Sequence, residues 1–203
     1  MKTGDISRAT LGRLPVYLNY LNSLPVTVET ISATSISKGL CLGEVQVRKD
    51  LGTVCGAGKP KVGYEISTLK KSLEDILGNK NGAAVIVGAG RLGRALYNYK
   101  GFKDYGLNIL AAFDSNKAVV NEESVRPIFY IDKLNEFCRK NNVKIGIITV
   151  PEAAAQTACD LLCNSGVKAI WNFSPTQLKA DDTVTVQNEN LSLSLAYLKL
   201  LIN

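Results

Sequence analysis

The sequence predicts an α/β protein in which a helical N-terminal domain precedes a doubly wound parallel sheet. Three observations lead to this prediction. Apolar residues recur at helical spacing up to about residue 80, and then give way to short apolar runs that alternate with helices. A stretch rich in glycine and lysine interrupts the helical part at residues 52–63. The glycine loop Gly88–Gly93 directly follows the first apolar run of the second part.

The composition is that of a soluble globular protein. Of its 203 residues, 46% are hydrophobic and 21% are charged, which is enough apolar material for a sizeable core. No apolar run approaches the roughly 20 residues that a membrane-spanning helix needs. The first six residues lack the apolar segment of a secretory signal. We therefore expect a cytoplasmic protein with no membrane partner.

Cysteine and histidine usage argues against metal binding and catalysis. The chain has five scattered cysteines and no histidine. Cys159 and Cys163 lie four residues apart on a predicted helix, and without a CxxC pair they are interpreted as structural thiols rather than zinc ligands. Tyr99 and Lys103 match a Tyr-x-x-x-Lys spacing, but they follow the first helix after the glycine loop, where a dehydrogenase pair does not belong. The sequence thus predicts binding without turnover, and no catalytic residue.

The first helices are predicted from leucine spacing. Apolar residues from Leu11 to Leu24 indicate one helix, in which Pro15 is tolerable in an early turn. Residues 26–51 indicate two short helices, the second running from about Gly43 to Leu51.

The segment that follows these helices completes a winged helix-turn-helix pattern. Residues 52–63 suit a β-hairpin or a flexible wing, and residues 66–77 have helical spacing that ends at a glycine. In such a domain Gln46 and Arg48 would reach base edges, while Lys49 and the wing lysines Lys59 and Lys61 would meet phosphates.

The charge distribution agrees with this interpretation without proving it. The net charge is +6; residues 1–80 carry 11 basic and 7 acidic side chains, and the remainder carries 13 and 11. Most of the positive excess therefore lies in the N-terminal part, which favours a polyanionic partner there. A solvated basic surface explains the charge equally well.

The second part alternates strands and helices in order. Strands are predicted over residues 83–87, 108–113, 144–150 and 167–173, and helices over residues 92–99, 133–140 and 152–162. This alternation is typical of a parallel, doubly wound sheet. The last segment, residues 191–202, carries leucines on several faces, so we expect it to be buried between domains or subunits.

The glycine loop predicts a dinucleotide site, because its G-x-G-x-x-G pattern follows a predicted strand and opens a predicted helix. Glycines allow the tight turn, the approach of backbone to pyrophosphate and the close packing of helix on strand, while the helix N-terminus attracts the phosphates. Asp114 ends the next strand, 21 residues after Gly93, where a carboxylate binds ribose hydroxyls. We expect NAD(H); Ser115, Asn116 and Lys117 leave NADP(H) as the alternative.

The chain resembles the Rex family of redox-sensing transcriptional repressors almost from end to end. The resemblance lies in Gly12-Arg13-Leu14-Pro15-Val16-Tyr17, Gln46-Val47-Arg48-Lys49-Asp50-Leu51, Val62-Gly63-Tyr64, Val87-Gly88-Ala89-Gly90, Leu92-Gly93-Arg94-Ala95-Leu96, Tyr99-Lys100-Gly101-Phe102, Ala112-Phe113-Asp114, Thr149-Val150-Pro151 and Asn172-Phe173-Ser174-Pro175. It implies a homodimer that binds operator DNA when NADH is scarce, releases it when NADH binds, and exchanges a C-terminal helix between subunits.

The resemblance also implies boundaries and site residues. The expected segments are a winged-helix DNA-binding domain (1–80), a Rossmann domain (81–186) and a domain-swapped helix (187–203). The expected cofactor-binding residues are Gly88, Ala89, Gly90, Arg91, Leu92, Gly93, Tyr99, Asp114, Ser115, Lys117, Thr149, Val150, Pro151, Asn172 and Phe173. The expected DNA-binding residues are Arg13, Gln46, Arg48, Lys49, Lys59 and Lys61.

Three positions depart from the family pattern. Pro60 stands in the wing where members have arginine, Arg91 stands where the glycine loop has asparagine, and Asn190 stands where an aspartate precedes the exchanged helix. That aspartate contributes to the charge contacts that couple the cofactor to domain closure in the family. A nucleotide-binding protein with weakened DNA binding or an NADP(H) preference is therefore the second hypothesis, and a small oxidoreductase is the third.

Overall fold

The chain divides into two compact units, which the computed structural model describes over residues 6–78 and 82–202. Among the described residues, one unit comprises residues 6–78 with 104–106, and the other comprises residues 82–103 with 107–202. The expected boundary after residue 80 and the N-terminal residues 1–5 lie outside the described residues. Within the described ranges, no helix is long and apolar enough to cross a membrane.

Helices dominate the N-terminal unit. Its elements are α1 (Arg8–Ser23), β1 (Thr30–Ile31), α2 (Ala33–Leu40), α3 (Glu44–Cys55), β2 (Tyr64–Glu65) and α4 (Ile66–Leu77), with β1 and β2 paired antiparallel. Leucines and isoleucines of all four helices, together with Tyr17, form one buried core. α4 has the bounds that its spacing predicts, because Leu69 and Leu73 face the core and Gly78 ends the helix.

The second helix forms although its sequence, Ala-Thr-Ser-Ile-Ser-Lys-Gly-Leu, is poor in helix formers. Ser32 caps its N-terminus by accepting a hydrogen bond from the Ser35 N–H, and Ile36 is fully buried. Tertiary packing and the cap thus stabilise a helix that intrinsic propensity does not favour.

Two details of the N-terminal helices differ from the prediction. α3 continues four residues past Leu51 to Cys55, because Val54 packs into the core and the Thr53 hydroxyl donates to the Lys49 carbonyl. The wing is accordingly shorter than predicted and starts at Gly56. Pro15 is the eighth residue of α1 and is buried, so its placement in an early turn was wrong.

The C-terminal unit is a six-stranded, all-parallel sheet of order β5-β4-β3-β6-β7-β8. Its strands are β3 (Gly82–Val87), β4 (Leu107–Asp114), β5 (Ile128–Tyr130), β6 (Ile145–Ile148), β7 (Ala169–Asn172) and β8 (Thr185–Asn188). Its helices are α5 (Arg91–Asn98), α6 (Leu134–Lys140), α7 (Glu152–Asn164) and α8 (Leu191–Leu201). The predicted doubly wound architecture is confirmed.

Two edge strands were not predicted. β5 has only three residues, and β8, Thr-Val-Gln-Asn, is largely exposed, so neither shows the apolar run of a buried parallel strand. The four central strands are close to their predicted bounds because both of their faces are covered.

Helices cover both faces of the sheet. On one face, α6 and α7 pack against Val85, Val87 and Phe113, and the Phe113 ring lies 5.4–5.7 Å from those of Phe137 and Phe129. On the other face, Tyr97 of α5 packs against the small and aliphatic side chains of the central strands.

The last helix, α8, presents its leucines to solvent in the single chain. Leu193, Leu195, Leu198 and Leu200 are 55–74% exposed. The Asn190 side chain caps this helix by accepting hydrogen bonds from the Ser192 and Leu193 N–H groups at 3.1 and 3.2 Å. A capped helix with this apolar surface needs a covering partner.

Candidate nucleotide and nucleic-acid sites

The strand order places a crevice at the carboxyl edge of the sheet. The chain winds from β3 through β4 to β5 on one side, and returns through β6 to β7 and β8 on the other. β3 and β6 are therefore the neighbours at which the winding direction reverses, and ligands of doubly wound folds bind at such a switch point. The glycine loop leaves β3 there, and Thr149 follows β6.

The first and third glycines of the loop are required by close contacts. Gly88 has a φ of +105°, and a Cβ on it would lie 2.9 Å from the Thr149 backbone. A Cβ on Gly93 would lie 1.9 Å from the Gly88 carbonyl oxygen and 2.8 Å from the Thr149 hydroxyl oxygen. The Thr149 hydroxyl donates to the Gly88 carbonyl at 2.7 Å, so the loop is held against β6.

The middle glycine leaves room for a ligand. Gly90 precedes α5 without a side-chain cap, and a Cβ on it would meet no heavy atom within 4 Å. The first helical bond is donated by the Arg94 N–H to the Gly90 carbonyl, so the amides of Arg91 and Leu92 have no partner within the helix. Free amides at a helix N-terminus beside open space suit a pyrophosphate.

Asp114 is fixed at the end of β4 with its carboxylate beside the loop. Its Oδ2 accepts from the Ala89 N–H at 2.7 Å, and its Oδ1 accepts from the Asn116 N–H at 2.8 Å. Each carboxylate oxygen keeps a second lone pair for a ribose hydroxyl. Ser115 and Lys117 follow on the exposed side, and the Lys117 ammonium lies 5.2 Å from the Tyr130 ring centre.

The loops after β6 and β7 form the other wall of the crevice. Pro151 is the cap position of α7, and the Val150 carbonyl accepts a hydrogen bond from the Ser174 hydroxyl at 2.5 Å. Asn172 is fully buried and donates to Thr176 and Asn188, while Phe173 packs on Trp171 with ring centres 4.5 Å apart. Sequence reasoning gave Ser174 no role, although it lies in the Asn-Phe-Ser-Pro motif.

One predicted cofactor residue lies apart from the others. Tyr99 follows α5, so one eight-residue helix, about 12 Å long, separates it from the glycine loop. It is 61% exposed and its ring meets Phe102 edge-on at 5.0 Å.

Two of the cysteines, Cys138 and Cys159, are buried thiols. Burial raises the pKa of Cys138 to about 11, and burial with the neighbouring Cys163 raises that of Cys159 to about 12, so both thiols stay protonated at neutral pH. In the part of the chain that the structure describes, no group of three or more cysteine, aspartate and glutamate side chains is placed to hold a metal ion.

The N-terminal unit presents α3 as the second helix of a helix-turn-helix. Val47 and Leu51 face the core, and Gln46, Arg48 and Lys49 are exposed. Arg48 forms an exposed ion pair with Glu44 at 2.6 Å, which costs little to break for a phosphate or a base.

A buried carboxylate network lies behind this surface. Asp50, only 4% exposed, accepts from the Nε and Nη2 atoms of Arg13 at 2.7 and 2.9 Å, from the Tyr17 hydroxyl at 2.7 Å and from the Thr10 hydroxyl at 3.0 Å. Arg13, predicted as a DNA-binding residue, is therefore engaged within the protein. Sequence reasoning gave Asp50 and Tyr17 no role, since residues more than 30 positions apart show no common pattern.

This network determines the ionisation of its members. Burial opposes the charge on Asp50, but hydrogen bonds from Arg13, Tyr17 and Thr10 outweigh it and lower the pKa of this carboxyl below its ordinary 3.8. Burial, together with the hydrogen bond to Asp50, raises the pKa of Tyr17 to about 12.

The wing places two lysines beside α3. Lys59 and Gly63 exchange two backbone hydrogen bonds of 2.8 Å, and Lys61 lies in the left-handed region with a φ of 63°. A concave space of about 620 Å³ separates this turn from Arg48 and Gly52 of α3.

Comparisons with known proteins agree with both sites. The family model described as "Putative DNA-binding protein N-terminus" matches residues 5–52, and the one described as "CoA binding domain" matches residues 79–176. The redox-sensing transcriptional repressors Rex of Treponema denticola and Carboxydothermus hydrogenoformans are each 42% identical to the chain. The first match covers 94% of this chain and 92% of the relative, and the second covers 98% and 97%.

Solved structures of the repressor RSP share the fold. RSP in complex with β-NAD+ and operator DNA has a TM-score of 0.82 at 35% identity, over 98% of this chain and 93% of RSP. RSP in complex with β-NADH has a TM-score of 0.73 at 34% identity, over 98% and 95%.

The fold and the two sites define a protein that combines a helix-turn-helix unit with a dinucleotide-binding unit. Its relatives, similar over nearly the whole chain, show that it belongs to the Rex family of redox-sensing transcriptional repressors. The predicted family membership is thereby confirmed, and so is the prediction that the chain is not an enzyme.

Acid should destabilise the N-terminal unit through Asp50. Because the folded pKa lies below the ordinary 3.8, the carboxylate stabilises the fold above that pH, and this contribution is lost as the pH falls through the folded value. At pH 7, Asp50→Asn should cost about 2 kcal/mol of unfolding free energy, since hydrogen bonds to a charged group are lost. Urea unfolding followed by circular dichroism between pH 7 and pH 2.5 measures both effects.

Asp182→Asn is the matched control, because Asp182 is exposed and lies in the other unit. Its unfolding free energy at pH 7 should stay close to that of the unaltered chain. An Asp50→Asn variant as stable as this control, with the same acid dependence, would contradict the assigned role of the buried carboxylate.

Proposed function

We propose that this chain is a repressor that binds operator DNA through α3 and the wing and releases it when NADH occupies the crevice. The observation that carries the proposal is the glycine loop at the switch point, with Asp114 beside it, in a chain whose other unit exposes a basic helix. The related repressor RSP supports this proposal, since it has been solved in complex with β-NAD+ and operator DNA and, separately, with β-NADH.

We assign NAD(H) rather than NADP(H) to the crevice. The Asp114 carboxylate is held at the end of β4 by two backbone N–H groups, where its charge would repel a 2′-phosphate. Lys117, the cation that could neutralise such a phosphate, lies over the Tyr130 ring. The free amides of Arg91 and Leu92 would bind the pyrophosphate. Thr149 would order the loop, and Pro151 and Phe173 would border the nicotinamide end.

We also propose a homodimer in which α8 is covered by a second copy. Its capped N-terminus and its leucines, more than half exposed, support this proposal. The functional segments are then residues 1–80 for DNA, 81–186 for the nucleotide and 187–203 for the exchanged helix. Such a protein works in the cytoplasm, where DNA and the nucleotide pool are both present.

NADH should weaken DNA binding. Gel shifts with DNA from upstream of redox or fermentation genes should show a complex that NADH disrupts and NAD+ leaves intact. Asp114→Ala, which removes the ribose contact, should bind the same DNA and need at least tenfold more NADH for release, since one charged hydrogen bond contributes about 1.5–3 kcal/mol. A complex insensitive to NADH would refute the proposed signal.

Lys49→Ala should reveal a phosphate contact. If Lys49 neutralises one phosphate, its loss should flatten the plot of log affinity against log salt concentration by about 0.9. Anisotropy titrations of labelled DNA at several salt concentrations measure the slope. Lys140→Ala, at the exposed end of α6, is the control and should leave the slope unchanged. Equal salt-dependence slopes for the two variants would show that Lys49 makes no phosphate contact.

Charges on the leucine surface of α8 should separate the dimer. The double variant Leu195→Asp and Leu198→Asp should raise the dimer dissociation constant at least tenfold, because two buried leucines contribute more than about 1.4 kcal/mol. Sedimentation velocity over a range of concentrations measures it, with Lys199→Asp as a control on the same helix. A dimer unaffected by the double variant would show that α8 is not its interface.

A further inference from the structure

Gln46, on the exposed side of α3, is held from behind by Arg13 of α1. With the Gln46 amide oxygen toward Arg13, the guanidinium Nη1 and Nη2 atoms lie 3.0 and 3.3 Å from it. The opposite orientation would place the amide NH₂ against these donors, so the surrounding hydrogen bonds assign the amide.

Arg13 has little freedom to turn away from Gln46. Its Nε and Nη2 atoms bind the two oxygens of the Asp50 carboxylate at 2.7 and 2.9 Å, and this planar pair fixes the direction of the guanidinium. Asp50 in turn is held by the Tyr17 and Thr10 hydroxyls. The position of Gln46 therefore depends, through Arg13, on the buried and fully hydrogen-bonded carboxylate of Asp50.

This arrangement decides what Gln46 can offer to a base. An amide oxygen has two lone pairs, and two Arg13 donors face them. The two amide N–H bonds remain free. A glutamine that reads adenine must accept from N6 as well as donate to N7, and this one has no acceptor left for N6.

We propose that Gln46 reads a keto base, guanine or thymine, as a donor-only side chain that Arg13 positions. Guanine presents O6 and N7 as adjacent acceptors and thymine presents O4, whereas the amino groups of adenine and cytosine would face N–H donors. The inference rests on the proposed function, since it requires that α3 enter the major groove.

Selection from a randomised double-stranded DNA library, without NADH, tests the inference. The unaltered protein should enrich one position in each half-site for guanine or thymine, at least about fivefold over adenine. In Gln46→Glu one carboxylate oxygen would pair with Arg13, and the other could only accept a hydrogen bond from a base. The preference at that position should therefore switch to cytosine or adenine, which present amino groups. Gln46→Ala should lose preference there without gaining another.

Gln187→Glu is the control, since it makes the same isosteric change on exposed β8 and should leave every position unchanged. A selected motif that Gln46→Glu leaves unaltered, or a Gln46-dependent position that prefers adenine in the unaltered protein, would overturn the inference and leave DNA binding standing. Enrichment of no sequence by the unaltered protein would refute the proposed function, and this inference with it.

Discussion

The carboxylate of Asp50 orders the surface of the N-terminal unit that we propose binds DNA. A buried charge without partners would cost several kcal/mol, so the fold is stable only in an arrangement that supplies them. All four hydrogen bonds to Asp50 come from Thr10, Arg13 and Tyr17 of α1. Because these donors lie along one helix, they fix where α3 crosses it, and with it the direction of Lys49, the residue before Asp50.

In the C-terminal unit, the glycine loop depends on residues that have no side chain at the points of closest backbone approach. A Cβ on Gly93 would lie 1.9 Å from the Gly88 carbonyl oxygen, a severe overlap, so the loop can close this tightly only with glycine at position 93. The same closure brings the Thr149 hydroxyl onto that carbonyl and the Ala89 N–H onto Asp114. The glycine loop, the Asp114 carboxylate and the neighbouring strand are thus positioned together by a single close approach.

Sequence reasoning succeeded where the determinants are local. The helix at residues 66–77 and the G-x-G-x-x-G turn follow from periodicity and from glycine stereochemistry within a few residues. It missed β8, because an exposed polar edge strand is stabilised by its neighbour rather than by its own sequence. It gave no sign that Arg13, which it predicted to contact DNA, is bound by a carboxylate, because that carboxylate is 37 residues away.

Asn190 shows how a departure from the family pattern is tolerated. Its side-chain oxygen accepts two N–H bonds at the start of α8, which an aspartate oxygen would accept equally well. The substitution therefore keeps the cap and removes only the negative charge. If NADH releases this protein from DNA as proposed, a charge at position 190 does not carry the signal here.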